Sequence, residues 1–464
     1  MSLRIRFYGA AENVTGSCYL LEACGRRVLI DCGLYQEREL KERNWQPFPF
    51  EASELDAVVL THAHLDHCGR LPLLRRAGYT GPVYCTRATA GIARIVLLDC
   101  AKINEEDAEF KRQRHERENR RPEHPEVPLY TVDEANEVLP QLTPWDFGQP
   151  LELGPGLTVE FVYIAHILGA AALRFTAEEG GETRRIVFSG DVGRCDMPIL
   201  KDPLAIGEAD YIVCESTYGD RLHGVPADIP GELADVVNDT ERRGGNLIIP
   251  SFAIERTQEL LFYLGRLLKE GRIPHLRTFV DSPMAVKVSD VFKRHAYLFD
   301  KETLALARQA RMPGLTMVRT RADSKAINHI KGTVIVIAGS GMCTGGRIKY
   351  HLAHNIEDPS STVLFVGYQA AGTLGRLILE GANPVRILGE EHRVRARVAR
   401  LDGFSAHADR EELRKWLSTC TRLPRRLFVT HGEHEAAHSF ASYIGERLGW
   451  SVAVPTYGEA AELE

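Results

Sequence analysis

Apolar and polar residues alternate along the opening of the chain. Residues 4–8, 17–22 and 27–31 each read as a strand with one buried face, and Gly25 marks the turn between the last two. Residues 57–61 form a β-rich apolar run that leads directly into a cluster of histidines. Helical character follows over 69–77, and a longer stretch, 86–111, carries apolar residues at helical spacing. Strands resume at 158–165, 171–176 and 185–189. From 211 to 389, short β-rich runs at 211–214, 246–250, 278–280, 333–338 and 362–366 alternate with helical segments. That alternation predicts an open, largely parallel α/β sheet. Strands at 393–401 and 425–430 follow, the second ending on His431. The middle block therefore reads as an insertion, with histidine-bearing segments on both sides of it.

Composition narrows this picture. A chain of 464 residues can form two or three domains, each with its own core. Hydrophobic residues make up 44% and charged residues 26%, as in ordinary globular proteins. The apolar runs are too short to cross a bilayer, and the opening MSLRIRFYGA lacks the apolar core of a secretory signal. No membrane partner and a cytoplasmic address are therefore expected. The ten cysteines are scattered, with no C-x-x-C pair, which predicts reduced, mostly buried thiols rather than a cysteine zinc site. With a net charge of −6, any nucleic acid must bind through a local basic groove. The charged run over 105–128, positive near 111–121, reads as a solvated helix end and loop, or alternatively as a surface brushing an RNA backbone.

Candidate chemistry begins at THAHLDHCGRLP. It places His62, His64, Asp66 and His67 within six residues, a donor set that suits zinc. A strand delivers side chains to one face every second residue, so His62 and His64 are expected to project together, and the turn after them to swing Asp66 and His67 into the same space. Further donors follow apolar strands in glycine-containing loops: His166 in AHILGAA, Asp191 in FSGDVGR and His431 in THGEH. A lone histidine in such a place is more often a satisfied core residue. Three such groups beside a zinc-type loop point to metal ligands.

The order Asp31, H-x-H-x-D-H, His166, Asp191, His431 resembles the metallo-β-lactamase superfamily. The middle block resembles the β-CASP domain of its nucleic-acid-processing branch. ESTYGDR at 215–221, FSAHAD at 404–409 and THGE at 430–433 carry that likeness, together with PSFAIERTQEL, DSPMA, GSGMCTGGR and GYQAAGTLGR. The resemblance covers nearly the whole chain. It implies an α/β fold, a metallo-β-lactamase αββα sandwich (1–208 and 391–464) with an inserted β-CASP α/β domain at 209–390. It also implies two Zn2+ per chain: one on His62, His64 and His166, the other on Asp66, His67 and His431, with Asp191 bridging. Asp31 would orient a ligand or the nucleophile. Ala165 stands where relatives usually carry glycine.

The activity so implied is hydrolysis of RNA phosphodiester bonds to 5′-phosphate and 3′-hydroxyl ends. It would be endonucleolytic, with 5′-to-3′ exonuclease activity as a second mode. A hydroxide shared by the two ions would attack phosphorus in line. The leaving 3′ oxygen needs a proton, which the pair Glu215 and His407 would supply, unless it is an ordinary structural Glu–His hydrogen bond. GSGMCTGGR, followed by an apparent helix, is a candidate phosphate loop through Ser340, Gly341, Thr344 and Arg347, although glycine clusters are usually just turns. It lacks the ending of a Walker A loop. Arg256 and Arg376 would touch the RNA backbone, unless they form interdomain ion pairs, and Ser405 would lie near the reacting phosphate. The expected partner is single-stranded RNA in the interdomain cleft, and a homodimer is also compatible. In the branch that the chain resembles, RNA-acting members carry histidine in the last motif and DNA-acting ones usually valine, so the resemblance through His431 implies RNA over DNA. A DNA-processing nuclease, a small-molecule hydrolase and a non-catalytic RNA-binding or partner subunit are the alternatives.

Overall fold

Buried and less buried positions alternate along Arg4–Phe7 and over the first residues of Leu157–Tyr163, as expected of strands in sheets with one face on a core. The computed structural model describes residues 3–118, 126–224, 228–309, 312–367, 369–370 and 372–464. The chain divides into two compact units. The first comprises Met1–Cys195, Asp202–Leu222 and Ala406–Glu464, and the second comprises Asp196–Lys201 and His223–Ser405.

The first unit packs two seven-stranded sheets face to face. In one, Arg4–Phe7, Tyr19–Ala23, Arg26–Ile30, Ala57–Val59, Val83–Thr86 and Leu142–Trp145 lie side by side, with Ala460–Glu462 outside the first strand. The other runs Val452–Ala453, Arg426–Thr430, Tyr211–Glu215, Glu182–Phe188, Ala171–Glu179, Leu157–Tyr163, Leu151–Gly154. Phe7, Tyr19, Leu21 and Ile30 from one sheet meet Phe161, Phe175, Phe188 and Phe428 from the other in a continuous core. Each such side chain contributes about 1.5–3 kcal/mol on burial. Helix Arg87–Glu118 buries Ile92, Ala93, Val96 and Leu97 in its first half. In its outer half Arg112 pairs with Glu109 at 2.6 Å and Arg114 with Glu118 at 2.9 Å, so this part of the charged run is a self-paired, solvated surface. Residues 119–125 of that run lie outside the described residues.

The second unit is built on six parallel strands in the order Leu315–Met317, Arg277–Asp281, Val334–Ala338, Leu247–Pro250, Thr362–Val366, Arg397–Leu401. Its four central strands are largely buried on both faces because separate helix-covered cores lie on each side, one around Leu260, Leu264 and Ile337, the other around Val336, Leu352 and Phe365.

Two strands pair differently from the sequence grouping. Tyr211–Glu215, read with the inserted block, is parallel to both Glu182–Phe188 and Arg426–Thr430 in the first unit. Arg397–Leu401, read with the closing segment, is parallel to Thr362–Val366 in the second. The apolar run at 211–214 marks burial and the mixed run at 397–401 marks a strand, but neither carries information about its neighbours. Among the described residues, no helix is long and apolar enough to cross a membrane.

Candidate metal centre

The donors sit where strands of the first unit end. Asp31 follows Arg26–Ile30, His62 follows Ala57–Val59, His166 follows Leu157–Tyr163 and Asp191 follows Glu182–Phe188. Glu215 closes its own strand, and His431 follows Arg426–Thr430. The period-two argument for His62 and His64 does not hold. The strand stops at Val59, and the Thr61 amide and hydroxyl both donate to the Asp31 carboxylate, at 2.7 and 2.8 Å, which turns the chain away from the sheet. His62 and His64 lie in the loop beyond, and Asp66 and His67 lie on the single helical turn Leu65–Cys68.

The donors nevertheless converge, in two sets. His62 Nε2 lies 3.0 Å from His64 Nδ1, which lies 3.2 Å from His166 Nε2. Asp191 Oδ2 faces this set, 3.4 Å from His62 Nε2 and 3.3 Å from His166 Nε2. In the second set His67 Nε2 and His431 Nε2 are 3.0 Å apart, with Asp66 Oδ2 3.5 Å from His431 Nε2. Asp191 Oδ1 faces this set, at 3.3 Å from His67 and 3.5 Å from His431. The outer ring nitrogens are already engaged. His67 Nδ1 lies 2.7 Å from Asp31 Oδ2, and His431 Nδ1 lies 3.1 Å from the Thr217 hydroxyl. Such partners fix the rings so that Nε2 points inward.

Burial disfavours charge on these imidazoles. It holds His62 and His166 well below the usual histidine range, with neighbouring imidazoles adding to the effect, and takes His64 down to about 4. All three are thus in the neutral form that binds metals. Burial also opposes charge on His67 and His431, but Asp191, helped by Asp31 at His67 and Asp66 at His431, outweighs it and raises both. Burial pushes Asp66 and Asp191 up, yet the histidines around them prevail and hold both below the carboxylate range.

Asp191 Oδ1 is buried without a hydrogen-bond partner, in the midst of inward-facing ring nitrogens. A cation resolves that arrangement, and the mixed imidazole and carboxylate donors suit zinc. The residues present therefore fit metal binding, and among the described residues Asp191 faces both sets.

Glu215 and His407 lie beside this cluster. His407 Nδ1 is 3.1–3.2 Å from the two carboxylate oxygens of Glu215, and its ring centroid is 4.5 Å from that of His166. Glu215 is buried and accepts the Val192 amide at 2.6 Å. Burial opposes protonation of His407, but the Glu215 carboxylate more than compensates and raises it to about 9. Sequence reasoning missed the positions that steady this arrangement, Thr61, Val192 and Thr217. The hydroxyls of Thr61 and Thr217 lie within the THAHLDH and ESTYGDR motifs and were the available signal.

Ala165 adopts a left-handed backbone, φ +66°, and Gly193 packs so closely that a Cβ on it would lie 2.4 Å from the Ala165 carbonyl carbon. A side chain in the left-handed region costs about 1–2 kcal/mol. Ala165→Gly should therefore raise unfolding stability by up to about 1 kcal/mol after the added flexibility of the unfolded chain is counted, as read by chemical denaturation.

Arg256, Ser340, Gly341, Thr344, Arg347, Arg376 and Ser405 all belong to the second unit. Arg256 is buried, ion-paired with Glu259 and stacked over Phe404 within the same unit. Arg376 pairs with Glu380 at 2.6 Å. Arg347 pairs at 2.5 Å with the fully buried Asp281, which also holds His351 at 2.7 Å. In the glycine-rich loop, the amides of Ser340, Cys343 and Gly345 bond to loop oxygens, and a Cβ at Gly341 would meet the Phe252 ring at 2.7 Å. Thr344 is exposed. Arg347 is thus first an anchor for Asp281. Asp281→Ala should strip the partner from Arg347 and His351 and destabilise the second unit by roughly 3–5 kcal/mol, measured as a fall in its urea midpoint.

A two-sheet sandwich with imidazoles and carboxylates clustered at its strand ends defines a metal-dependent hydrolase. Three family models match this chain: a beta-lactamase superfamily domain over residues 26–243, a Beta-Casp domain over 257–378 and a Zn-dependent metallo-hydrolase RNA specificity domain over 391–455. The chain is 40% identical to Ribonuclease TTHA0252 of Thermus thermophilus, over 99% of this chain and 100% of that one. It is 30% identical to the transcription termination factor FttA of Methanosarcina mazei, over 96% of this chain and 69% of that protein. Among solved structures, a protein of unknown function from Enterococcus faecalis covers 100% of both chains with a TM-score of 0.58 at 14% identity, a likeness of fold. The chain belongs to the β-CASP family of the metallo-β-lactamase superfamily.

Proposed function

We propose that this chain is a zinc-dependent ribonuclease that holds two ions and leaves 5′-phosphate and 3′-hydroxyl ends, cutting internally with 5′-to-3′ digestion as a second mode. RNA as substrate is supported by the full-length similarity to a ribonuclease and by the RNA specificity model over 391–455. The observation that carries the two-ion reading is Asp191, whose two oxygens each face a separate donor set.

His62, His64 and His166 would hold one ion, and Asp66, His67 and His431 the other, with Asp191 shared. Bound there, the metals supply an activated water at neutral pH and neutralise charge on the phosphoryl oxygens. Asp31 keeps His67 oriented by accepting from Nδ1, and Thr217 does the same for His431. His407 carries a proton that Glu215 stabilises through Nδ1, leaving Nε2 to donate to the departing 3′ oxygen. In the second unit, Ser340, Thr344 and Ser405 are the proposed contacts to the RNA backbone, with Gly341 shaping their loop. Arg256, Arg347 and Arg376, each paired already, act on that surface by shaping it.

Zinc-loaded protein incubated with RNA labelled at either end tests the reading. Internal fragments with 5′-phosphate and 3′-hydroxyl ends are expected. Cyclic 2′,3′-phosphate ends would overturn the mechanism, and cleavage of DNA in preference to RNA would overturn the substrate.

A further inference from the structure

Outside the centre just described, Glu12, His434 and His438 bring their donor atoms together at the surface of the first unit. His434 and His438 lie one helical turn apart on His434–Leu448, so both rings project from one face, with centroids 4.4 Å apart. Glu12 reaches them from the loop after Arg4–Phe7. A single carboxylate oxygen, Oε1, lies 2.7 Å from His434 Nδ1 and 3.0 Å from His438 Nε2. Two imidazoles at i and i+4 with a third, anionic donor form a recognised zinc-binding arrangement.

We infer that Glu12, His434 and His438 form a third, surface site for a borderline divalent cation of the zinc, nickel or copper class. The two histidines exclude magnesium and calcium, which take oxygen donors. Three protein donors leave a coordination position open to water, so the ion exchanges more readily than one enclosed by the inner cluster. The site is also linked mechanically to that cluster. Ala10, two residues before Glu12, accepts the His431 amide at 2.7 Å, and His434 follows His431 by three positions. An ion held here ties the 8–16 loop to the start of the helix that follows His431.

The side chains of His434 and His438 are 67% and 51% exposed, so replacing them leaves the core untouched, and alanine favours the helix. Untagged full-length wild type, His438→Ala and Glu12→Gln are dialysed to equilibrium against graded zinc, and separately nickel, with bound metal counted per chain. The expected result is one ion fewer in His438→Ala, and in Glu12→Gln an affinity for that ion weaker by about tenfold or more. Excess zinc should also raise the thermal midpoint of wild type further than that of His438→Ala. Equal ion counts and affinities in all three proteins would overturn the surface site. The comparison stands whatever the inner cluster holds. If that cluster bound nothing, wild type would still retain one ion and His438→Ala none.

Discussion

Replacing His407 by alanine lowers the turnover number on RNA by about 10²–10⁴-fold while zinc content stays near that of wild type. The expectation follows from position. The ring lies close to that of His166, yet its Nδ1 is committed to Glu215 and it contributes no donor to either inner set. A substrate whose scissile 3′ oxygen is replaced by sulfur needs no proton to depart, so the variant should cut it almost as fast as wild type does. The pH profile supplies a separate readout. The acid works only while protonated; Glu215 raises it to about 9 against the effect of burial, and cations in the adjacent cluster would lower it from there. Turnover should therefore fall as pH rises through that pKa, and this alkaline limb should vanish in the variant. Parallel loss of zinc and activity would make His407 a ligand, and an unchanged defect on the sulfur substrate would leave the Glu–His pair merely structural.

Removing metal should be the most damaging change to the first unit. A ligand present at a thousand times its Kd stabilises the folded state by about 4 kcal/mol, which for a unit of this size corresponds to roughly 10 °C in thermal midpoint. Calorimetry with and without a strong chelator measures this directly. Asp191→Ala should retain fewer ions than any single-histidine variant, because its oxygens face both sets. Loss on acidification should be staged. His67 and His431 are raised, so they must shed protons before they bind, and an ion on their set is displaced as pH falls. His62 and His166, held low, and His64, at about 4, are already neutral and keep theirs to lower pH. Simultaneous release of all metal would contradict the two-set reading.

The densest part of the site was legible because THAHLDH packs four donors into six residues, and few functions other than metal binding call for that. His166, Asp191 and His431 were legible only in its company, each as a polar residue after an apolar strand. Their supports were not. The hydroxyls of Thr61 and Thr217 matter through where they point, and threonine is so common that only their place inside the two motifs sets them apart. The same limit explains the strands. Residues 211–214 announce burial and 397–401 announce a strand, but neither announces its partners, and pairing across such separations is decided by tertiary packing. The helix His434–Leu448 and its exposed histidine pair went unpredicted because the inward donor His431, just before it, satisfied the search for metal ligands.

The strand that carries His431 lies in parallel beside Tyr211–Glu215, and Arg4–Phe7 is flanked by Ala460–Glu462. Contacts between such distant stretches form slowly and only after the later strands have been made. A chain terminated before residue 431 therefore lacks one of the imidazoles proposed to hold metal. Translation must pass residue 431 before the two donor sets can come together.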